Sequence, residues 1–323
     1  MIRELSILDA RIPQWNLAEL RARDCPICSA KDHVAAYLRP DKLTLRHCQQ
    51  CHIYFVSPAP SDPQLSAFYA QYDQTHRREA DIPREILAES YLRADPLNNM
   101  RMQEIASMMD LKGKQCLDIG FGRGCFLAYF KTLGATPYGV ELDRKAIADV
   151  KRFLRIESVF EGTIFDLDAS LRFDVITMND LIEHPLEPAR LFAKAAALLN
   201  HSGLVVVVTP NGSSMIGQEE QPIAFRVDLE HMQYLSFESC FFLARRHGLT
   251  VVHLESFGFP GIAGIGSLGI KHSGSQALRQ AVKNKIKGLL GGKLAKRIQS
   301  VFAKESVPER MGCYQLFCIF QKP

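Results

Sequence analysis

A short run of acidic and glycine residues carries the strongest chemical signal in the sequence. Asp118, Gly120, Gly122 and Gly124 alternate with other residues after an apolar stretch, and Glu141 follows about twenty residues later. Glycines let the chain turn sharply and bring bare backbone against a ligand, and the first N–H groups of a following helix point at that ligand. A carboxylate after the next strand can bind two ribose hydroxyls. The pattern therefore predicts a nucleoside-binding site.

The spacing of the glycines separates this site from a dinucleotide site. The fingerprint G-x-G-x-x-G, counted from Gly120, needs a glycine where this chain has Cys125. An acid at Asp118 suits a cationic or amino-bearing ligand better than a pyrophosphate. The run resembles the first motif of the class I S-adenosylmethionine (SAM)-dependent methyltransferases. That resemblance implies that the glycine turn packs against the methionine part of SAM and that Glu141 holds the ribose. The alternatives are a turn without a ligand and a nicotinamide site.

Four cysteines near the start of the chain have the spacing of a metal site. They form the pattern C-x2-C-x19-C-x2-C, at Cys25, Cys28, Cys48 and Cys51. Two such pairs can present four thiolates tetrahedrally, which is the geometry of structural zinc. We expect zinc to hold together a module over residues 1–60, with His47 and His52 as alternative ligands. A closed four-thiolate site has no open position for catalysis, so its predicted role is to dock a substrate, a partner or the rest of the chain.

Two histidines close to acidic residues are the candidates for acid–base chemistry. His184 follows Asp180 by a few residues, and His231 comes directly after Glu230. A neutral imidazole oriented by a carboxylate suits a general base near neutral pH. We predict His231 or His184 as the base, with Glu230 and Asp180 lining the reacting centre. The alternative is that these residues brace a loop and cap a helix.

A second resemblance concerns the whole arrangement of the chain. The cysteine pairs, an aromatic strand, an x-Pro-x-Pro turn and a helix bearing Tyr69 resemble the amino-terminal part of bacterial methyltransferases that include the nucleotide-sugar C-methyltransferases. The stretch 228–236 resembles an active-site stretch in which a tyrosine, a glutamate and a histidine act. This chain keeps Glu230 and His231 and has Asp228 in place of the tyrosine. The resemblance implies a small-molecule acceptor, a sugar or glycan precursor being favoured. Those enzymes carry a further carboxyl-terminal domain that this sequence is too short to contain.

Apolar strands that alternate with helical patterns over residues 111–323 predict an α/β fold, and the resemblance implies a Rossmann-like, seven-stranded class I methyltransferase sheet. The predicted strands cover 115–119, 136–140, 158–162, 173–178, 204–209, 249–257 and 312–321. Ligands of such sheets bind at the carboxyl ends of the strands. We therefore expect Asn179 and Asp180 at the site, and the resemblance places Thr163 and Ile164 at the adenine. Residues 61–110 are expected to form a linker and covering helices.

Composition indicates an ordinary water-soluble protein. The sequence is 47% hydrophobic and 23% charged, with a formal net charge of +4. No apolar run approaches the roughly 20 residues that cross a bilayer, so no transmembrane segment is expected. The start of the chain lacks the basic and apolar regions of a secretory signal. Nine cysteines, four of them in a metal pattern, fit a reducing compartment, so we expect a cytoplasmic protein.

The basic charge of the chain is concentrated before the last predicted strand. Nine Lys or Arg residues and one acid lie between positions 271 and 305, inside a helical insertion predicted over 258–311. The insertion is interpreted as a lid, as a docking face for an anionic membrane (276–305) or acidic substrate, or as a solvated surface. Together with the zinc module it leaves open an RNA methyltransferase as the second hypothesis. A SAM-binding protein without turnover is the third.

Overall fold

The computed structural model describes residues 2–70, 96–213, 220–257 and 314–323. These residues are organised around two sheets, one of five strands and one of seven. The predicted basic insertion lies outside the described residues, and so does the first part of the predicted covering helices, 71–95.

Twelve strands occur in the described part of the chain. In order they are β1 (Arg3–Glu4), β2 (His33–Leu38), β3 (Thr44–Cys48), β4 (Tyr54–Val56), β5 (Gln115–Ile119), β6 (Thr136–Glu141), β7 (Val159–Glu161), β8 (Phe173–Asn179), β9 (Leu199–Pro210), β10 (Gln233–Tyr234), β11 (Thr250–Phe257) and β12 (Gln315–Gln321).

Six α-helices occur in the described part of the chain. They are α1 (Asp62–Tyr69), α2 (Pro96–Met108), α3 (Cys125–Thr132), α4 (Arg144–Asp149), α5 (Pro188–Leu198) and α6 (Phe237–Arg246). The helix α4 ends at Asp149, and a π-helical turn covers 150–154. None of the helices in the described ranges is long and apolar enough to span a bilayer.

The larger sheet has the order β11-β12-β9-β8-β5-β6-β7. Strands β5 to β9 are parallel, and β12 runs antiparallel between β9 and β11. The predicted seven-stranded Rossmann-like sheet is therefore confirmed. One boundary was wrong: β9 begins at Leu199 and not at Leu204, because Leu199 already pairs with Phe173 directly after α5. The carboxyl ends of β5, β6 and β8 share one edge, where a ligand would bind.

The smaller sheet joins the amino-terminal module to the α/β part of the chain. Its order is β1-β2-β3-β4-β10, and β10 comes from the segment between β9 and α6. Gln233 pairs with Phe55 and Tyr234 pairs with Tyr54. Residues of the module and of the larger sheet also share one buried cluster, which includes Ile27. The module is thus continuous with the rest of the fold in hydrogen bonding and in packing.

Candidate functional site

The glycine turn after β5 presents open backbone to the edge of the sheet. Gly124, with φ of +75°, precedes α3, and a Cβ there would lie 2.7 Å from a methyl carbon of Val150. Gly122 also has a left-handed φ, of +50°, yet a Cβ there would meet no atom of the described residues within 4 Å. Close packing therefore requires a glycine at Gly124. At Gly122 no described side chain covers the backbone, so a ligand can contact it there.

Glu141 is fixed beside this turn by backbone donors. One carboxylate oxygen accepts from the N–H of Gly122 at 2.8 Å, and the other accepts from Leu142 at 2.7 Å and Asp143 at 3.1 Å. The Oε2 atom, which accepts only the bond from Gly122, has capacity for a further hydrogen bond. The site thus holds an acceptor at the end of β6, in the position predicted for a ribose contact. The ribose itself stays a prediction.

Asp118 lies inside the sheet, at the carboxyl end of β5. Its side chain is buried and accepts from Thr177 Oγ1 at 2.6 Å. Burial raises the pKa of the Asp118 carboxyl to about 7. The carboxyl group therefore ties β5 to β8 directly beneath the strand ends. Its predicted interaction with a cationic ligand stays a prediction.

Thr163 and Ile164 start a short 3-10 helix after β7. Thr163 caps this helix, and Asp166 Oδ2 accepts from Thr163 N at 2.8 Å and from Thr163 Oγ1 at 2.7 Å. Ile164 is fully buried. The capping bonds fix the backbone at the third strand end, where the resemblance predicts an adenine contact.

A polar network covers the end of β8. Asn179 Oδ1 accepts from Arg101 Nη1 at 3.2 Å, and Asp180 Oδ1 accepts from Gln315 Nε2 at 3.2 Å. The other Arg101 nitrogen, Nη2, donates to Gln315 Oε1 at 2.6 Å. Asp180 has a left-handed φ of +48°, a costly conformation outside glycine that is often found at functional sites. Sequence reasoning selected Asn179 and Asp180 but missed Arg101, whose only signal was a charge within the apolar part of a helix.

The structure brings the two predicted histidines together. The ring centroids of His184 and His231 lie 4.8 Å apart in an edge-to-face arrangement. Tyr69 Oη, from α1, is 2.6 Å from His184 Nδ1. Glu183, which the sequence analysis did not select, completes the cluster: its carboxylate and the two imidazoles each place an atom within 4.8 Å of the others. We call Tyr69, Glu183, His184 and His231 the histidine cluster.

Burial favours the uncharged forms of two members of the histidine cluster. Burial, with a smaller effect of His231, lowers the pKa of His184 to about 3. Burial, followed by the nearby Asp180, raises the pKa of Glu183 well above its ordinary value. Thr209 Oγ1 donates to Glu183 Oε2 at 3.0 Å. The cluster therefore contains an imidazole that is neutral at pH 7 beside a carboxyl group whose protonated form is favoured by burial.

Backbone bonds explain why the two histidines meet. Met232 N donates to the carbonyl oxygen of Glu183 at 2.8 Å. Gln233 Nε2 donates to the carbonyl oxygens of Ile182 at 2.8 Å and Pro185 at 2.7 Å. The turn that carries His184 is thereby bonded to the segment that carries His231.

Asp228 and Glu230, the acidic residues before His231, lie in different environments. Asp228, with φ of +46°, accepts from Tyr314 Oη at 2.9 Å and from Arg11 Nη2 at 3.2 Å. Glu230 is buried, with 1% of its surface exposed. The prediction that Glu230 orients His231 stays a prediction.

The four cysteines converge at one end of the smaller sheet. Their sulfur atoms all lie within 4.8 Å of one another, with 3.5 Å separating Cys25 from Cys51 and Cys28 from Cys48. A tetrahedron with Zn–S bonds of about 2.3 Å has edges of about 3.8 Å. A hydrogen bond from Cys51 lowers the pKa of Cys25 to about 5. The separations between the sulfur atoms therefore fit a four-thiolate metal site, and His47 instead stacks on Tyr54 at 4.4 Å.

The strand order and the glycine turn agree with the class I methyltransferase fold that the sequence implied. Residues 98–254 match the family model described as a methyltransferase domain. This part of the chain is therefore similar to methyltransferase domains, which supports the prediction of an enzyme of that class.

Two curated relatives and one solved structure illustrate the similarity. The chain is 31% identical over 121 residues to a ubiquinone biosynthesis O-methyltransferase of Coxiella burnetii, covering 36% of this chain and 51% of that protein. It is 33% identical over 111 residues to the protein of the same name in a Bradyrhizobium species, covering 32% and 43%. The chain thus spans about half the length of the curated relatives it matches. A SAM-dependent methyltransferase structure from Archaeoglobus fulgidus aligns over 79% of this chain and 99% of its own, at 19% identity and a TM-score of 0.47.

Proposed function

We propose that this chain transfers the methyl group of SAM to a hydroxyl group of a polar small molecule, with a sugar or glycan precursor as the favoured class. The observation that carries the proposal is the histidine cluster at the same sheet edge as the glycine turn and Glu141, within the part of the chain that is similar to methyltransferase domains.

The proposed binding of SAM is supported by the uncovered backbone of the glycine turn and by nearby charged side chains. Among the described residues none covers the backbone of Gly122, and Glu141 is fixed next to it as an acceptor for a ribose hydroxyl. Arg101, buried at the end of β8, supplies a positive charge for the carboxylate of SAM. These groups would orient the methyl group toward the histidine cluster, and such positioning supplies part of the roughly 7–11 kcal/mol available from orientation.

The histidine cluster would accept the proton of the acceptor. The hydroxyl oxygen forms a bond to the methyl carbon as the carbon–sulfur bond breaks, and S-adenosylhomocysteine leaves as a neutral thioether. The hydroxyl proton needs a base, and His184, with its pKa lowered to about 3, is too weak a base near neutral pH. We therefore assign the base to His231, with Tyr69 and His184 holding the acceptor.

The described surroundings of the cluster favour a polar acceptor. Asp180 and Asp228 are close enough to act electrostatically on the cluster. They and their neighbours Tyr314 and Gln315 are hydrogen-bonded to one another or to Arg11 and Arg101. Such groups can bind several hydroxyls of one molecule. The Glu230-His231 pair supports a sugar through its resemblance to sugar C-methyltransferases, and the curated relatives are named O-methyltransferases, which supports oxygen as the acceptor atom.

A product screen with labelled SAM tests the proposal. Isothermal titration with SAM comes first, and absence of binding heat with zinc-loaded protein would refute the cofactor. The screen then offers UDP-glucose, dTDP-glucose and GDP-mannose beside catechol and a transfer RNA, and mass spectrometry detects added methyl groups. A methylated sugar is the expected product. Methylation of catechol or RNA alone would retain methyl transfer but reject the sugar, and SAM binding without any product would favour a binding protein.

A further inference from the structure

Arg39 connects the cysteine-rich module to the segment that carries His231. Its side chain is buried and forms an ion pair with Asp41, within the turn between β2 and β3. Nη1 donates to the carbonyl oxygen of His231 at 2.6 Å and to Tyr234 Oη at 3.1 Å, and Nη2 donates to the carbonyl oxygen of Leu229. One planar guanidinium thus bonds the backbone on both sides of Glu230. A guanidinium can do this because its donors diverge in a rigid fork.

Arg23 forms a second connection from the same module. Its Nη1 donates to the carbonyl oxygen of Leu186 at 2.9 Å, and its Nη2 donates to the carbonyl oxygen of Met232 at 2.7 Å. Leu186 follows His184 by two positions, and Met232 follows His231 directly. Arg23 therefore holds both histidine-bearing segments against the module at the same time.

The predicted metal ligands lie in the same structural unit as these arginines. Arg23 precedes Cys25 by two positions. The hairpin of β2 and β3 has Cys48 paired with His33 at one end and Leu38 paired with Thr44 at the other, next to Arg39. A bound metal would close the first end by joining both cysteine pairs. In a module this small, metal ligation contributes much of the folding free energy.

We propose that Arg39 and Arg23 are positioning residues through which the four-cysteine module sets the place of His231, so that metal occupancy controls methyl transfer but not SAM binding. The inference rests on the proposed function, because it assigns His231 as the base. It follows from the bonding pattern: the arginines contact the backbone of 186 and 229–232, whereas Glu141 and the glycine turn are held by bonds within their own βαβ unit. Displacing a catalytic group by about 1 Å can cost about 10²-fold in rate.

The test compares Arg39→Met with the zinc-loaded wild-type protein, and uses Arg21→Met as a matched control. Arg21 lies in the same module with an exposed side chain. The first readout is the ring ¹⁵N spectrum of the histidines, with the His231 signals assigned by their loss in His231→Gln. The second is SAM affinity by titration calorimetry. The third is kcat on the nucleotide-sugar panel.

In Arg39→Met we expect displaced His231 signals, a kcat at least about tenfold lower and a SAM Kd within about twofold of wild type. The control should match the wild type in all three readouts. Arg39→Lys keeps the charge but cannot span both carbonyl groups, so it should resemble Arg39→Met. Wild-type behaviour of Arg39→Lys would overturn the inference, and so would unchanged His231 signals in Arg39→Met.

Metal removal provides the test that needs no substitution. Chelation under reducing conditions should displace the His231 signals while SAM still binds, and zinc alone should restore them. Loss of SAM binding in parallel with zinc would overturn the inference, since the module would then support the whole fold. These spectra and titrations can be read even if no acceptor on the panel is methylated, so failure of the proposed function is distinguishable from failure of the positioning role.

Discussion

The cofactor region and the histidine cluster are built in opposite ways. In the cofactor region the bond from Gly122 to Glu141 joins residues 19 positions apart, within one βαβ unit. In the histidine cluster Tyr69 and His184 are 115 positions apart, and Arg39 reaches His231 across 192. Binding of the cofactor is therefore a local property of the sheet edge, whereas the geometry for proton transfer depends on how the module docks. Substitutions in the two regions should separate SAM affinity from turnover.

The largest expected effect is on turnover, in His231→Gln. Removing the proposed general base should lower kcat by about 10²–10⁴-fold, because the imidazole that would take the hydroxyl proton is then absent. SAM affinity should stay within about twofold, since Glu141 and the glycine turn are untouched. Steady-state kinetics and titration calorimetry measure the two quantities.

His201→Gln is the matched control, because His201 is exposed and lies in the larger sheet. A kcat for His231→Gln equal to that of this control would remove His231 from the mechanism.

The difference between the regions also explains what the sequence could predict. The glycine run and Glu141 were recognisable because turn geometry and strand length fix their relative positions over a short stretch. The cysteine pairs converge as predicted for a similar reason, since each pair forms a tight turn before or after a strand. In both cases the predicted binding residues lie within a short stretch of sequence, so their spacing alone indicates the site.

The docking of the module could not be predicted in that way. β10 has only two residues, Gln233 and Tyr234, and it pairs with β4 far earlier in the chain. Arg23 and Arg39 are ordinary basic residues in sequence, and their burial arises only when backbone carbonyls from distant loops surround them. Glu183 gave no separate signal, because its raised pKa is a consequence of burial in the assembled fold.

The second prediction concerns a substitution in the cofactor region. Glu141→Ala should weaken SAM binding roughly 100-fold, because a hydrogen bond to a charged acceptor, contributing about 1.5–3 kcal/mol, is lost. At saturating SAM, kcat should change by less than about threefold. Glu161→Ala is the control, since Glu161 ends the neighbouring strand β7 with an exposed carboxylate paired to Arg144. Equal SAM affinity in the two variants would contradict a ribose contact by Glu141.

The smallest expected effect concerns the pH dependence of stability. The lowered pKa of His184, about 3, arises from burial first and from His231 second, while Asp228 acts in the opposite direction. Between that value and the ordinary pKa of histidine near 6.5, the unfolded chain binds a proton that the folded protein does not. The contribution of His184 is thus fully present above about pH 6.5 and is lost as the pH falls toward 3.

Urea unfolding of the wild type and His184→Gln at pH 7 and pH 5 measures this contribution. The stability of the wild type relative to the variant should fall by about 1–2 kcal/mol between the two pH values. The raised pKa of Glu183 stabilises the folded state less as the pH rises. Because both proteins retain Glu183, this contribution largely cancels when their stabilities are compared at the same pH. If the difference in unfolding free energy between the wild type and His184→Gln is the same at pH 7 and pH 5, His184 is hydrated in the folded protein. The reason for excluding His184 as the base would then be removed.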